Sequence, residues 1–371
     1  MKLIVSSSSG TEACVKRELL KLGVEAPRAF DGKFEIEGDY ELLAKMCVWL
    51  RCADRVFIEL AEFKATTFDE LYENTLKINF SEYLKKYTRI MLDGNCYQSQ
   101  LMAIKTSGSV IKKAIMNNLS NEYGTSSETG ETVTIYFTIL KDVCKIMLDA
   151  CGAGLHKRGY RELTYTAPLK ETLACSLIDL SIYSAKKTLA DVFCGSGTIA
   201  IEAAMIARNI APGLKRNFDF QKFKNYPQNL VSKIKAEAKL LENDVIPKIF
   251  ASDINPDAIK MARENAKKAG VEKYIEFKIL DMKKFESREE YGVIISNPPY
   301  GDRLSNKKEV QKIYSDFAQT FSKLKNWSSY LLTDSKDMEK IFGRKADKKR
   351  KLYNAKLECV YYSFLGKKPS K

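Results

Sequence analysis

Val293-Ile294-Ile295-Ser296-Asn297-Pro298-Pro299-Tyr300 is the stretch from which the fold can be read. Three branched apolar residues in a row fit a buried strand, and two prolines stop it at once, because neither a helix nor a sheet ladder continues through them. The backbone after Asn297 is held extended, with its carbonyls free of the ladder. An amide, a carbonyl and an aromatic ring are thus presented at a strand's carboxyl end, which is where open α/β sheets bind ligands. Asn297 and the Pro298 carbonyl can accept the two N–H bonds of an exocyclic amine while Tyr300 stacks on the base that carries it. Taken alone, the same residues also read as a simple turn.

Outward from this corner, everything beyond residue 187 repeats strand, turn and helix, the pattern of a mainly parallel sheet covered on both faces. Strands are expected at Thr188–Phe193, Lys248–Ser252, Tyr274–Leu280, Val293–Ser296 and Ser329–Thr333, with a late, antiparallel strand at Leu357–Phe364. Helices are expected at Gly197–Arg208, at Asp257–Ala269 and near Lys308–Phe321. Residues 211–245 break the alternation and read as an insertion, basic and aromatic in its first half (Lys215, Arg216, Phe218, Phe220, Lys222, Phe223).

Asp191-Val192-Phe193-Cys194-Gly195-Ser196-Gly197-Thr198 is a strand end, a glycine turn and a helix start. Its glycines permit a sharp turn and close approach to a ligand. No lysine follows the second glycine, so it is not a P-loop, and Ala200 replaces the third glycine of a dinucleotide fingerprint. Asp253 stands at the next strand end, where a carboxylate would bind both ribose hydroxyls, and Asp281 at the one after, where it could accept from an adenine amine. Each aspartate alone is an ordinary helix cap. Three at successive strand ends beside a glycine turn describe a nucleoside site.

Towards the N-terminus the first sixty residues read β-α-β-β-α-β, the split βαβ pattern. The Ser6–Ser9 run reads as a solvated turn rather than a phosphate loop. From Thr67 to about Cys151 a second small α/β unit follows, with helices at Phe68–Leu76 and Ser109–Leu119 and strands at Arg89–Leu92, Thr132–Phe137 and Val143–Leu148. It carries no catalytic constellation. Gly154-Leu155-His156-Lys157-Arg158-Gly159-Tyr160-Arg161 joins the halves, either as a phosphate-backbone contact or as a solvated basic linker.

With 371 residues, 45% hydrophobic and 29% charged, the chain has material for two or three domains. No apolar run reaches the roughly 20 residues of a membrane span, and the first residues make no signal-peptide core, so a cytoplasmic protein is expected. Nine scattered cysteines without a C-x-x-C pair, and a single histidine, His156, offer no zinc set and argue against histidine-based hydrolysis. The net charge of +14 favours a polyanionic partner.

The series Asp191-x-Phe193-Cys194-Gly195-Ser196-Gly197-Thr198, Ser252-Asp253-Ile254-Asn255, Asp281-Met282 and Asn297-Pro298-Pro299-Tyr300-Gly301 resembles the S-adenosylmethionine-dependent methyltransferases that modify exocyclic amines. The similarity extends over essentially the whole chain to the family in which ferredoxin-like and THUMP domains precede such a catalytic domain. It includes Leu155–Arg161, Ala167-Pro168-Leu169-Lys170-Glu171, Ala211-Pro212-Gly213 and Gly301-Asp302-Arg303-Leu304. Within it, the chain most resembles bacterial large-subunit ribosomal RNA guanine-N2 methyltransferases.

The resemblance implies a Rossmann-like class I domain with a mainly parallel seven-stranded sheet at 156–371, with the insertion at 211–245. Ahead of it would stand a ferredoxin-like domain at 1–62 and a THUMP RNA-binding domain at 63–155. It implies that Asp191 and the Gly195/Gly197 turn hold the methionine part of S-adenosylmethionine, Asp253 the ribose and Asp281 the adenine. Lys170, Glu171, Cys194, Ser196, Thr198, Ile254, Met282 and Asn297 complete the cofactor set. Asn297, Pro298 and Tyr300 would hold the target base, and His156, Lys157, Arg158, Arg161 and Arg303 the RNA. Some members carry a second methyltransferase domain; this chain ends before one, so a single methylation is expected. Transfer RNA guanine-N2 methylation, adenine-N6 methylation and a non-catalytic RNA-binding role stay open as alternatives.

Overall fold

The computed structural model describes the chain apart from residues 31, 125–126, 162–168, 300–306 and 368–371. Tyr300 and Arg303 therefore lie outside the described residues, as do Ala167, Pro168 and the Gly301–Leu304 part of the quoted motif.

The N-terminal half runs β1 (Lys2–Ser7), α1 (Glu12–Lys21), β2 (Ala29–Phe30), β3 (Lys33–Glu37), α2 (Tyr40–Trp49), β4 (Ala53–Lys64), α3 (Phe68–Leu76), β5 (Arg89–Tyr97), α4 (Ile104–Tyr123), β6 (Thr132–Leu140) and β7 (Val143–Asp149). All seven strands form one sheet in the order β2-β3-β1-β4-β7-β6-β5. The long β4 joins its two parts, pairing with β1 on one side and with β7 on the other. Alternation along β1 sends Leu3 and Val5 to one face, where α1, α2, α3 and α4 cover them in a single core. Ile4 goes to the opposite face, with Phe57 and Met147 in a small cluster.

The C-terminal half runs α5 (Glu171–Asp179), β8 (Thr188–Asp191), α6 (Thr198–Ala207), α7 (Leu230–Leu240), β9 (Ile249–Asp253), α8 (Pro256–Ala269), β10 (Ile275–Ile279), β11 (Gly292–Ser296), α9 (Lys307–Ser322), β12 (Ser328–Thr333), α10 (Met338–Ile341), β13 (Lys348–Asn354) and β14 (Leu357–Phe364). Its sheet has the order β10-β9-β8-β11-β12-β14-β13. The first five strands are parallel, and β14 returns antiparallel to β12. This is the expected mainly parallel, seven-stranded sheet, with apolar clusters on both faces. β8, β11 and β12 read as continuous apolar or small runs because every residue in them is buried. Successive strands run outward from β8 in one direction and from β11 in the other, so the topological switch lies between them.

β13 departs from the sequence reading: it was not expected, because Lys348-Lys349-Arg350-Lys351 shows no apolar alternation and Leu352 is its one wholly buried anchor. The insertion is tied into the N-terminal half, where Phe218, Phe220, Phe223 and Tyr226 sink into the core beneath the sheet, and α7 lies against α2. The Gly213 amide donates to the Val48 carbonyl at 2.9 Å, and a β-carbon at Gly213 would stand 2.6 Å from the Val48 Cα. Only glycine permits that approach. Among the described residues no helix is long and apolar enough to cross a membrane.

Candidate active site

The carboxyl ends of β8, β9 and β11 open onto one cavity of about 560 Å³, within the range usual for small-molecule sites. β8 leads into the glycine turn. Gly195 has φ +49° and Gly197 φ +82°, values that favour glycine, and no atom lies within 4 Å of where a Gly195 β-carbon would project. At Gly197 a β-carbon would instead press on the Ala262 methyl of α8 at 3.0 Å, tighter than ordinary contact. The turn leaves its backbone bare towards the cavity and packs its other side on α8.

Asp253, at the end of β9, fixes the turn from across the sheet. One carboxylate oxygen accepts the Gly195 amide at 2.9 Å and the other the Asn255 amide at 3.0 Å. A carboxylate oxygen has more than one acceptor site, so Asp253 keeps capacity for hydroxyls within the cavity. Beside it Ile254 is 69% exposed, an apolar side chain left bare in the wall. Asp281 follows β10, accepts the Lys283 amide at 3.0 Å and pairs with the Lys283 ammonium at 3.3 Å. Met282 is buried beneath it.

Asn297 closes the opposite wall. Its Oδ1 is buried and has no hydrogen-bond donor among the described residues, although buried polar atoms are nearly always paired. Pro299 lines the same cavity, and its carbonyl accepts the Tyr314 hydroxyl at 3.3 Å. Tyr314 is itself tied to Thr333 at the end of β12 at 2.7 Å. The corner is therefore braced from the neighbouring strand.

The predicted residues divide into three groups. Gly195, Asp253, Ile254, Asp281, Met282 and Asn297 meet in the cavity wall. Asp191 lies beneath it, 1% exposed, and accepts the Ser296 hydroxyl at 2.8 Å and the Phe193 amide at 3.3 Å. Burial pushes its carboxyl up to about 7, with the Ser296 and Phe193 bonds opposing. Cys194 and Thr198 are also buried, and Ser196 bridges to the Thr198 hydroxyl at 3.2 Å.

The linker forms the third group, and its two arginines fit neither the phosphate-contact nor the solvated-linker reading. Arg158 is 3% exposed. Its guanidinium donates to the Leu155 and Arg51 carbonyls at 2.5 Å and faces the Glu202 carboxylate at 3.6 Å. Burial alone would lower its pKa, but Glu202 and its neighbours more than reverse this. Arg161 pairs with Glu171 at 2.9 Å and reaches the Thr198 hydroxyl at 3.2 Å, behind the glycine turn. Burial pushes Glu171 up to about 7, against the pull of Arg161. Both arginines face inward because the interior supplies carbonyls and carboxylates for them. Lys157 and Lys170 are exposed. His156 is half-buried among cations; burial, then Lys170 and Lys157, bring it down to about 4, so it is neutral at pH 7.

Sequence reading passed over one face of α9. Glu309, Lys312, Ile313 and Asp316 all line the cavity. Their i, i+3, i+4, i+7 spacing is the signal that would have found them. Ser296 was missed as well: its hydroxyl accepts the Val192 amide at 3.1 Å while donating to Asp191, linking the cofactor strand to the residue before Asn297.

Residues 158–363 match the family model described as the RMKL-like methyltransferase domain, and residues 2–57 match the RlmL ferredoxin-like domain. YpsC of Bacillus subtilis, provisionally named an RNA methyltransferase, is 40% identical over 370 residues, covering 98% of this chain and 96% of YpsC. The ribosomal RNA large subunit methyltransferase K/L of Psychromonas ingrahamii is 32% identical over 383 residues, which cover all of this chain and 51% of the relative. The chain thus spans about half the length of such K/L relatives. Among solved structures, SMU.472, provisionally described as a methyltransferase and complexed with SAH, superposes with a TM-score of 0.94 at 36% identity, covering 100% of this chain and 99% of that one. A Listeria monocytogenes protein, described by inference as an N6-adenine-specific DNA methylase, gives 0.93 at 38% identity, covering 99% and 96%. The bare glycine turn and the Asp253 carboxylate beside exposed Ile254 fit S-adenosylmethionine. The chain belongs to the RMKL-like methyltransferase family and uses S-adenosylmethionine.

Proposed function

We propose that this protein methylates RNA, at the exocyclic N2 amine of a guanine in large-subunit ribosomal RNA. In this reading residues 1–62 and a THUMP unit at 63–155 grip the RNA, and residues 156–371 carry the chemistry. The observation that carries the proposal is the buried Asn297 Oδ1, without a donor among the described residues, at the end of β11 and in the wall that Asp253 shares. The names of the K/L relatives support ribosomal RNA as the substrate.

When bound, S-adenosylmethionine supplies a methyl group activated on a sulfonium. Asp253 holds its ribose, Asp281 its adenine amine, and the Gly195–Gly197 backbone its amino-acid end. Asn297 Oδ1 and the Pro298 carbonyl accept the two N–H bonds of the target amine, and Tyr300 stacks on its base. These acceptors turn the nitrogen lone pair towards the methyl group, so positioning supplies much of the rate. Positive charge grows on the nitrogen as the N–CH3 bond forms and the S–CH3 bond breaks. The two acceptors stabilise that charge most strongly in the transition state. The cationic amine then releases a proton to water without a strong base. No described histidine lines the cavity. The base reaches this corner only after leaving its stack.

A second reading, adenine N6, follows from the description of the Listeria relative, and the corner accepts either amine. Nucleoside mass spectrometry of ribosomal and transfer RNA from a deletion strain separates the two. One N2-methylguanosine should vanish from large-subunit RNA and return with the wild-type gene, but not with Asn297→Ala. Loss from transfer RNA, or loss of N6-methyladenosine, would replace the proposal.

A further inference from the structure

We infer that the β13 edge of the catalytic sheet is a second RNA-backbone contact, which tracks the substrate strand away from the Asn297 corner; this rests on the RNA reading above. Residues 336–356 carry nine cations and three acids, so six of the chain's net fourteen positive charges fall within these 21 positions. Lys345, Lys348, Lys349, Arg350 and Lys351 are all exposed. An edge strand needs only a lysine or two to discourage pairing with another sheet. This surplus exceeds that need and suits a polyanion.

The register places the charge at the height of the chemistry. Ser296 of β11 stands opposite Leu331 of β12, Leu331 opposite Tyr362 of β14, and Tyr362 opposite Lys349. Lys349 is therefore level with the residue before Asn297, and Arg350 and Lys351 continue in the direction of Asn297 and Pro298. Three strand spacings of ~4.8 Å put the two rows about 14 Å apart. At ~3.4 Å per stacked nucleotide that is about four nucleotides from the extruded base. The acids that pair here do so on the surface, Glu339 with Lys349 at 2.8 Å and Glu358 with Lys351 at 2.6 Å. Exposed pairs of this kind are weak and readily exchanged for phosphate. At its far side β13 touches the N-terminal half. Arg350 donates to the Gly10 carbonyl at 3.2 Å, and a β-carbon on Gly10 would lie 2.4 Å from the Lys351 carbonyl oxygen. The basic edge thus reaches the β1–α1 loop.

The test uses the full chain and an in vitro transcript of unmodified large-subunit ribosomal RNA. Lys345→Ala/Lys348→Ala/Lys349→Ala is compared with wild type and with a charge-matched control on α8 and the opposite edge strand β10, Lys260→Ala/Lys267→Ala/Lys278→Ala, after thermal melts show all three folded. Losing three phosphate contacts should reduce the slope of log affinity against log salt by about 2, at ~0.7 per contact with single strands. The affinity gap from wild type should then narrow about 16-fold between 50 and 200 mM salt. S-adenosylhomocysteine binding should stay unchanged, and the control should keep the wild-type slope. A β13 variant with the wild-type slope, or a control that falls equally, overturns the inference and leaves the RNA reading standing. Wild-type protein without salt-dependent RNA binding overturns both.

Discussion

Replacing Asp191 by asparagine should flatten the pH dependence of stability. The carboxyl, ordinarily at 3.8, is raised by burial to about 7, so the folded chain holds its proton more tightly than the unfolded chain does. The corresponding stability is fully present below about 3.8 and is lost as pH rises through about 7. Three units at ~1.36 kcal/mol each amount to about 4 kcal/mol, of which roughly 2–3 kcal/mol falls between pH 5 and pH 8. The side chain is 1% exposed, so solvent screens little of it. Asparagine keeps an oxygen for the Ser296 hydroxyl and the Phe193 amide but does not titrate. Urea unfolding of both proteins at pH 5 and pH 8 measures the effect. The wild type should lose roughly 2–3 kcal/mol more than the variant across that interval. Glu171, also raised to about 7, and His156, lowered to about 4, titrate in both proteins and largely cancel in the difference. Parallel pH profiles would show that Asp191 is ionised in the folded chain and would refute the reasoning.

Asp253→Ala should weaken S-adenosylhomocysteine binding by about 1.5–3 kcal/mol, the scale of hydrogen bonds to a charged group; unchanged affinity by calorimetry places the nucleoside elsewhere. Asn297→Ala should lose on the order of 10²–10³ in single-turnover rate at saturating RNA, with cofactor affinity and melting temperature nearly unchanged; a stable variant working at the normal rate ends the assignment. Arg158→Met should cost about 3–5 kcal/mol in urea unfolding, because it leaves the Glu202 carboxylate buried without its cation, and Glu202→Gln in the same background should recover part of the loss. An Arg158→Met protein of wild-type stability that bound RNA more weakly would restore the phosphate-contact reading.

The elements that sequence made legible are those where one physical signal dominates. β8, β11 and β12 are buried on both faces, so their composition alone announces them. Asp253 was legible only as one of three aspartates at successive strand ends beside a glycine turn, and it lies in the cavity wall. β13 escaped because an edge strand needs only one apolar anchor, and charge then hides its period. Arg158 and Arg161 look like linker cations in one dimension; only the fold brings Glu202 and Glu171 to them. The packing of the insertion's aromatic half stayed unread for the same reason, since ring partners such as Tyr40 and Tyr83 lie about 140–190 residues earlier in the chain.

That insertion has a consequence for synthesis. The last strand of the N-terminal sheet, β7, ends at Asp149, but Phe218, Phe220, Phe223 and the buried face of α7 belong to the same core. On a ribosome the sheet is therefore translated some 70–90 residues before the last part of its cover exists. At ~5–20 residues per second, the nascent chain exposes this apolar surface for roughly 4–18 s. The N-terminal half is thus a poor candidate for a self-standing fragment. A catalytic half made alone would meet the mirror problem, with four aromatic side chains facing water. The two halves share one apolar core.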